Sequence, residues 1–207
     1  MADIRYNVGQ LFKQAFGVNS PVFLTEPLNK ETPADINFKG LEILPDYYQP
    51  DATSWMGTPI IFQAKFLGGN YKKFDQGLIK RTQMDDFVLP AATMFSFRRA
   101  KDIIRTKVAG SDGTVKEIYT FDDWVIDVRG LCLDEPSKSA REQIEQLLKW
   151  EKLADSIAVD GSQFNLRNIT RVCLNDWADD IPMGKPGVIS FQFQLIGDEP
   201  LELALRV

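Results

Sequence analysis

The most strongly patterned part of the chain runs from residue 121 to residue 161, and it constrains the fold more than any other feature. It predicts a strand, a turn at Pro136, an amphipathic helix and the start of another strand. Ser139 and Glu142 have the spacing of a capping box, so the helix is expected to begin beside them. The segment contains no pattern typical of a catalytic site. We therefore expect the helix and its flanking strands to form contact surfaces rather than support for an active site.

Strand patterns continue on the N-terminal side of this helix. Two runs, at residues 101–108 and 114–121, flank a polar turn that contains two glycines, which predicts a hairpin. A separate third strand is predicted over residues 124–133. Gly130 interrupts that strand and indicates a bulge or a close backbone approach.

The C-terminal part of the sequence shows the clearest alternation of apolar and polar residues. Residues 188–199 place four large apolar side chains on one predicted core face: Ile189, Phe191, Phe193 and Leu195. Further strands are predicted at residues 157–161 and 168–177. The sequence therefore predicts an α+β fold, a mostly antiparallel β-sheet or a split β-barrel, with one packed helix at about residues 138–154.

Residues 1–85 have a less regular pattern and are predicted to form a loop-rich N-terminal region with a short helix that ends at Gly17. Six prolines between residues 21 and 59 disfavour helices and central strands there. Glycines 68 and 69 predict a turn, followed by a solvated loop. The stretch from about residue 17 to residue 58 also holds many large apolar residues, which predicts an extended arm. The arm is expected to pack either on a neighbouring subunit or on its own chain, next to a β-rich domain over residues 86–207.

The charge of the chain argues against some classes of partner. Its net charge is −5 and its pI is about 4.9, whereas non-specific binding to nucleic acids or to an anionic membrane requires a basic surface. The sequence has no apolar run of the length that a membrane helix needs, and no signal-like N-terminus. We expect a protein that folds in the cytoplasm, or that leaves the cell by a route other than standard secretion, and that does not bind membranes.

The residue types available for chemistry are few. Histidine is absent from the sequence, which excludes nucleophile systems with a histidine base and histidine-liganded zinc. The adjacent carboxylates Asp122–Asp123 and Asp179–Asp180 are expected at strand ends, where acidic residues are common, and are not predicted to be catalytic. No catalytic residue, cofactor site or metal site is predicted. The basic pairs Lys72–Lys73 and Arg98–Arg99 are interpreted as solvated faces or subunit contacts.

The two cysteines lie in strand-like runs. Cys132 and Cys173 are expected to be small buried residues in a reducing compartment. A disulfide between them is the alternative, because sequence alone does not give the geometry.

A family resemblance covers roughly residues 90–207. The segment that begins DDWVIDVRGLCLDE and ends VISFQFQLIGDEPLELAL resembles phage and prophage tail-module proteins of Bacteroidota, a family whose name records only unknown function. The matching positions are Gly130–Leu131, residues 169–172, residues 182–187 and residues 197–200. The resemblance implies a tail, baseplate or tail-ring component, with the small β-barrel-plus-helix fold of tail tubes and hubs, and implies no catalytic residues.

Three functional hypotheses follow. The first is a structural subunit of a bacteriophage tail (baseplate, tail hub or tail ring), a homo-oligomeric ring that contacts other tail proteins. It would be assembled in the bacterial cytoplasm, be located in the virion tail and let DNA pass through its lumen without specific binding. The second is a β-rich module that binds a surface glycan or a peptide through Tyr47, Tyr48 and Trp55. The third, a hydrolase with paired aspartates, is disfavoured by the lack of histidine.

Overall fold

The computed structural model describes residues 7–18, 22–24, 41–43, 49–56, 59–107, 109–110, 112–180 and 187–198. Its helices are α1 (Val8–Phe16), α2 (Ala140–Glu151) and α3 (Ser162–Asn165). Its strands are β1 (Val22–Leu24), β2 (Leu41–Ile43), β3 (Ala52–Thr53), β4 (Pro59–Ile60), β5 (Ala64–Phe66), β6 (Gly69–Asp75), β7 (Leu78–Met84), β8 (Phe87–Val88), β9 (Ala92–Lys107), β10 (Thr114–Leu133), β11 (Ile157–Gly161), β12 (Arg171–Asp180) and β13 (Val188–Gly197).

Seven strands form one main sheet in the order β8-β5-β11-β12-β13-β10-β9. All neighbouring strands in it are antiparallel. The described part of the chain forms no closed barrel, since β8 and β9 are edges of an open sheet. Three two-stranded pairs accompany the main sheet: β1 with β2, β3 with β4, and β6 with β7. The predicted α+β class, with a mostly antiparallel sheet and a packed helix, is confirmed.

Helix α2 begins where the sequence predicts. The Ser139 hydroxyl accepts a hydrogen bond from the Glu142 backbone N–H at 3.2 Å, and the Glu142 carboxylate accepts one from the Ser139 backbone N–H at 2.8 Å. These reciprocal bonds form a capping box. The bonds from Ser139 lower the pKa of Glu142. Helix α1 likewise ends at Gly17, whose φ of 69° gives a left-handed cap.

The main sheet has a helix on each face. Alternate residues of β10, among them Ile126 and Val128, join the larger core, to which α2 contributes Ile144, Leu147 and Trp150. The intervening residues Leu131 and Leu133 face the other way and pack with Leu11 and Phe12 of α1 and with Val188. The predicted core face of β13 is confirmed, because Phe191, Phe193 and Leu195 are buried in the larger core and Ile189 packs against it.

Gly130 lies directly opposite Phe191 in the register of β10 and β13. A Cβ atom at Gly130 would meet Phe191 Cζ at 2.3 Å, so the ring occupies the space that any side chain would need. Phe191 is itself stacked on Phe193, with ring centroids 5.8 Å apart. The predicted close approach at Gly130 is therefore present, and it is made by an aromatic side chain.

We expect Gly130→Ala to lower the free energy of unfolding by about 1–3 kcal/mol, the usual cost of overpacking. Gly69→Ala is the matched control, because a Cβ there would lie 3.6 Å from the Tyr71 ring, an ordinary contact. Urea unfolding of both variants measures the difference. An unchanged midpoint for Gly130→Ala would show that the Phe191 ring moves aside freely.

Two local predictions are wrong. Residues 114–121 and 124–133 form one continuous strand, β10, because a register shift between Phe121 and Trp124 accommodates one extra residue. The predicted solvated loop after Gly69 is the strand β6, whose Tyr71 is buried against Trp150 with ring centroids 5.6 Å apart.

The division into residues 1–85 and 86–207 stays a prediction. Several described contacts cross that boundary, since β5 lies between β8 and β11 within the main sheet. Most of the predicted arm at residues 17–58 lies outside the described residues.

Candidate functional site

The paired aspartates lie on two different strands. Asp122 and Asp123 occupy the irregularity within β10, rather than the strand end predicted for them, and Arg99 Nε donates to the Asp122 carbonyl oxygen at 2.9 Å. Asp179 and Asp180 end β12, and Trp177 Nε1 donates to Asp179 Oδ1 at 3.0 Å. Strand β13 separates β10 from β12. Within the described ranges, no group of three or more His, Cys, Asp or Glu residues has an arrangement that could hold a metal ion.

The cysteines differ in environment. Cys132 is buried, and burial raises the pKa of its thiol to about 12. Cys173 is exposed, so the prediction that both are buried is wrong for this residue. Its side chain points away from the core because its neighbour Val172, on the opposite face of the same strand, takes the core position. Both thiols are free, and no disulfide joins them.

A cleft of about 610 Å³ lies beside the first half of β9, at the edge of the main sheet. Residues 91–97 form its floor, and Trp55, Met56 and residues 59–62 form another wall. Helix α1 and the residues around α3 complete it. Trp55 also lines an adjoining cavity of about 240 Å³. The other two aromatic residues of the predicted binding module, Tyr47 and Tyr48, lie outside the described residues.

Polar and charged groups also line the two cavities, and the cleft itself includes Arg167 and Gln163. Glu135 lines both cavities, and burial raises its pKa while nearby Lys138 opposes that shift. Gln143 lines the smaller cavity and is buried. Its Nε2 atom donates to the Leu133 carbonyl oxygen at 2.7 Å, and its Oε1 atom accepts no hydrogen bond from the described part of the chain. The larger cleft is therefore mainly apolar, whereas the smaller cavity is more polar and contains the unpaired Gln143 Oε1 atom.

Strands β9 and β10 extend well beyond the main sheet as a two-stranded ribbon. Strand β13 pairs with β10 only from Val125 onward, whereas β9 and β10 stay paired out to Lys107 and Thr114. The ribbon beyond Arg99 spans eight residues of β9, or roughly 25 Å of extended chain. Among the described residues, no strand pairs with the outer edge of β9 or with the matching part of β10.

The ribbon exposes large apolar side chains. Phe121 is 62% exposed, and Ile104 and Val115 are each 48% exposed. Lys101 Nζ and the Arg99 guanidinium lie 5.2 and 4.9 Å from the centre of the Phe121 ring. Because the ring stays 62% exposed beside these cations, the ribbon presents a mixed apolar and basic surface.

The hairpin formed by β6 and β7 presents a second exposed apolar group. Gln76 and Gly77 connect the strands, and both have positive φ, as a tight two-residue hairpin turn requires. Beside the turn, Phe74, Leu78 and Ile79 are 61%, 64% and 61% exposed. This group is not predicted from the sequence, which indicates a solvated loop after Gly69. The signal for it is the cluster of three large apolar residues on either side of a glycine turn.

Comparison with known proteins identifies a family. The family model described as "Domain of unknown function (DUF6046)" matches residues 88–207, more than half of the chain, and the chain belongs to this family. The matched segment contains α2, the ribbon and β11–β13, and it begins after the β6–β7 hairpin. No curated protein matches the chain. Among the described residues, no helix is long and apolar enough to span a membrane.

Proposed function

We propose that the protein is a structural subunit of a bacteriophage tail, in a baseplate, tail hub or tail ring, and that it acts by self-assembly. The observation that carries this proposal is the β9–β10 ribbon. It leaves the main sheet with outer edges that no described strand pairs with, and with Ile104, Val115 and Phe121 exposed.

The ribbon needs a neighbour for physical reasons. A lone two-stranded hairpin is marginally stable in water, and unpaired strand edges readily pair with another chain. The two edges of this ribbon belong to different strands, so an edge of β9 in one copy can meet an edge of β10 in the next. Contacts between unlike surfaces close into a ring when the rotation between copies allows it. A ring of copies thus uses both edges.

The phage tail is proposed because of the resemblance of residues 90–207 to phage and prophage tail-module proteins. The subunit would then be assembled in the bacterial cytoplasm, be located in the virion tail and contact other tail proteins. A net charge of −5 fits a lumen through which DNA passes without being bound. Tail genes on either side of its gene would support this assignment, and their absence would count against it.

The experiment that tests self-assembly removes the outer part of the ribbon and leaves the main sheet intact. Residues 103–119 are replaced by Asn-Gly, which joins the paired residues Asp102 and Thr120. We expect the full chain to form particles of several 23.5 kDa copies, visible as rings in negative stain. The shortened chain should stay monomeric with a similar unfolding midpoint, because the removed side chains that the structure describes are mostly exposed. A full chain that is monomeric at all concentrations, or a shortened chain that assembles equally well, would contradict the proposal.

A second candidate function rests on the position of Trp55 in the cleft beside β9. An aromatic ring in an apolar cleft can stack on a sugar or hold a peptide side chain, as a glycan- or peptide-binding module would require. Glycan-array binding by the full chain that Trp55→Ala abolishes would favour this function over a purely structural role.

A further inference from the structure

We propose that the tip of the β6–β7 hairpin inserts into the surface of an anionic lipid bilayer. The tip consists of three exposed apolar residues: Phe74, Leu78 and Ile79. The four basic residues behind it form what we call the basic collar: Lys72, Lys73, Lys80 and Arg81. This inference goes beyond the proposed structural role and does not depend on self-assembly.

The register of the hairpin arranges the tip and the collar as two layers. The two cross-strand pairs nearest the turn hold the tip: Asp75 with Leu78, and Phe74 with Ile79. The next two pairs hold the collar: Lys73 with Lys80, and Lys72 with Arg81. At about 3.4 Å per residue, each layer is roughly 7 Å tall. Amphipathic segments bury their apolar face about 5–10 Å into the boundary between headgroups and acyl chains, so a tip of this height places the collar among the headgroups.

The tip is apolar on both faces of the hairpin. Successive residues of a strand point to opposite faces, and paired residues share a face. Phe74 and Ile79 therefore share one face, and Leu78 lies on the other. A groove on a protein covers one face of a strand pair, whereas a fluid bilayer surrounds a projecting tip on every side. This arrangement favours a lipid surface over a protein groove as the partner.

The basic residues of the collar repel one another. Lys72 lies directly opposite Arg81, and Lys73 directly opposite Lys80. Like charges in such positions destabilise a strand pair. Asp75 offsets part of this repulsion, because its carboxylate lies 2.7 Å from Lys80 Nζ. Within the part of the chain that the structure describes, the other three cations form no salt bridge, so anionic headgroups would supply the missing counter-charge.

Residues 151–155 of the body flank the collar. Leu153 forms a bridge with Lys73, and the Ala154 backbone N–H donates to the Lys72 carbonyl oxygen at 2.8 Å. This segment adds one cation and two carboxylates: Lys152, Glu151 and Asp155. The tip, the collar and this segment together still hold five cations against three carboxylates. Beyond Lys73 the described strands of the hairpin pair only with each other, so the tip projects from a locally basic surface.

The net charge of the whole chain does not describe this end of the molecule. A net charge of −5 predicts that the chain does not bind an anionic membrane. However, exposed charges more than about 10 Å apart are largely screened at 0.1 M salt. The groups nearest the bilayer therefore decide the attraction, and those groups are the collar.

Cosedimentation with vesicles tests the binding. The full chain is mixed with vesicles of phosphatidylcholine alone, or with vesicles of equal parts phosphatidylcholine and phosphatidylserine. We expect binding to the mixed vesicles and at least about tenfold weaker binding to phosphatidylcholine alone, because the collar attracts anionic headgroups. A full chain that does not bind the mixed vesicles, or that binds both kinds equally, overturns the inference. Neither result affects the proposed self-assembly.

Two leucines of similar exposure give a matched comparison. Leu78 is 64% exposed at the tip, and Leu166 is 73% exposed at the C-terminal end of α3. Leu78→Ser should weaken binding to the mixed vesicles at least about fivefold, because insertion buries its apolar surface. Leu166→Ser should leave binding unchanged, and circular dichroism checks that both variants are folded. Equal effects of the two substitutions would overturn the inference.

The collar is tested by the double variant Lys72→Gln/Arg81→Gln, which keeps the apolar tip. Binding to the mixed vesicles should weaken by roughly fivefold for each charge removed. Binding to phosphatidylcholine alone should not change. An unaltered affinity of this variant for the mixed vesicles would show that the collar does not face the headgroups, contrary to the inference.

A fluorescent label reports insertion directly. In a Cys173→Ser background, which removes the exposed native thiol, Leu78→Cys or Leu166→Cys carries the label nitrobenzoxadiazole. On mixed vesicles we expect brighter, blue-shifted emission from the label at position 78 only. Vesicle binding without this change would assign another surface to the bilayer and overturn the inference. So would a chain that ignores vesicles but whose self-association Leu78→Ser weakens, since the tip would then contact protein.

Discussion

Phe193→Ala is expected to lower the free energy of unfolding by about 3–5 kcal/mol, the usual cost of truncating a buried aromatic residue. Phe193 is 4% exposed and lies near the middle of the larger core. Its ring stacks on that of Trp177, with ring centroids 5.4 Å apart, and its ring centroid lies 6.4 Å from that of Phe66. The stacked neighbours are held by their own strands, so they cannot collapse fully into the space that alanine leaves.

Urea unfolding followed by tryptophan fluorescence and circular dichroism measures this loss. Phe121→Ala is the matched control, since Phe121 is 62% exposed on the ribbon and its removal should change stability by less than about 1 kcal/mol. The loss expected for Phe193→Ala is a large share of the 5–15 kcal/mol free energy of unfolding that is typical of a domain. Similar midpoints for the two variants would show that Phe193 lies outside the stabilising core.

The elements predicted correctly from sequence are those that local pattern specifies. The alternation over residues 188–199 identified β13 and its core face, because a strand with one buried face must alternate. Ser139 and Glu142 located the start of α2, since the capping box lies entirely within one turn. Gly130 indicated a close approach, although the partner, Phe191, is far away in sequence and could not be named.

The elements that are not predicted from the sequence either depend on pairing with distant strands or contain residues that resemble the end of a strand. Asp122 and Asp123 suggested a break between strands, but a β-bulge accommodates extra residues without ending a strand. Strand β5 is only three residues long, and it exists because it pairs with both β11 and β8. The sequence around β5 does not indicate that the strand pairs with either of these two strands.

The candidate surfaces show the same limit. The sequence predicts the β9–β10 hairpin but not its projection from the sheet, because the projection depends on where β13 stops pairing with β10. The sequence predicts Trp55 as a binding residue without reference to the cleft, whose lining comes from five separate parts of the chain. Such surfaces are properties of the tertiary structure.

Phe66→Ala is expected to lower the free energy of unfolding by about 3–5 kcal/mol. The loss should affect the residues on both sides of the predicted boundary between residues 85 and 86. Phe66 has no exposed surface, and its ring lies 5.3 Å from that of Trp150 on α2. Strand β5, which carries it, is hydrogen-bonded between β8 and β11. The N-terminal half thus supplies a side chain to the centre of the core formed by the C-terminal half.

Because the same core includes both halves, the loss should shift the whole unfolding transition of Phe66→Ala to lower urea. Fluorescence and circular dichroism should then report coincident curves, as a single cooperative unit requires. Phe62→Ala, four residues earlier in the chain and 43% exposed, is the control and should change stability by less than about 1 kcal/mol. A Phe66→Ala protein with two separate transitions, the later one unchanged from the wild type, would contradict this prediction. It would show that residues 86–207 keep their core without β5 and that the N-terminal half folds as an independent layer upon it.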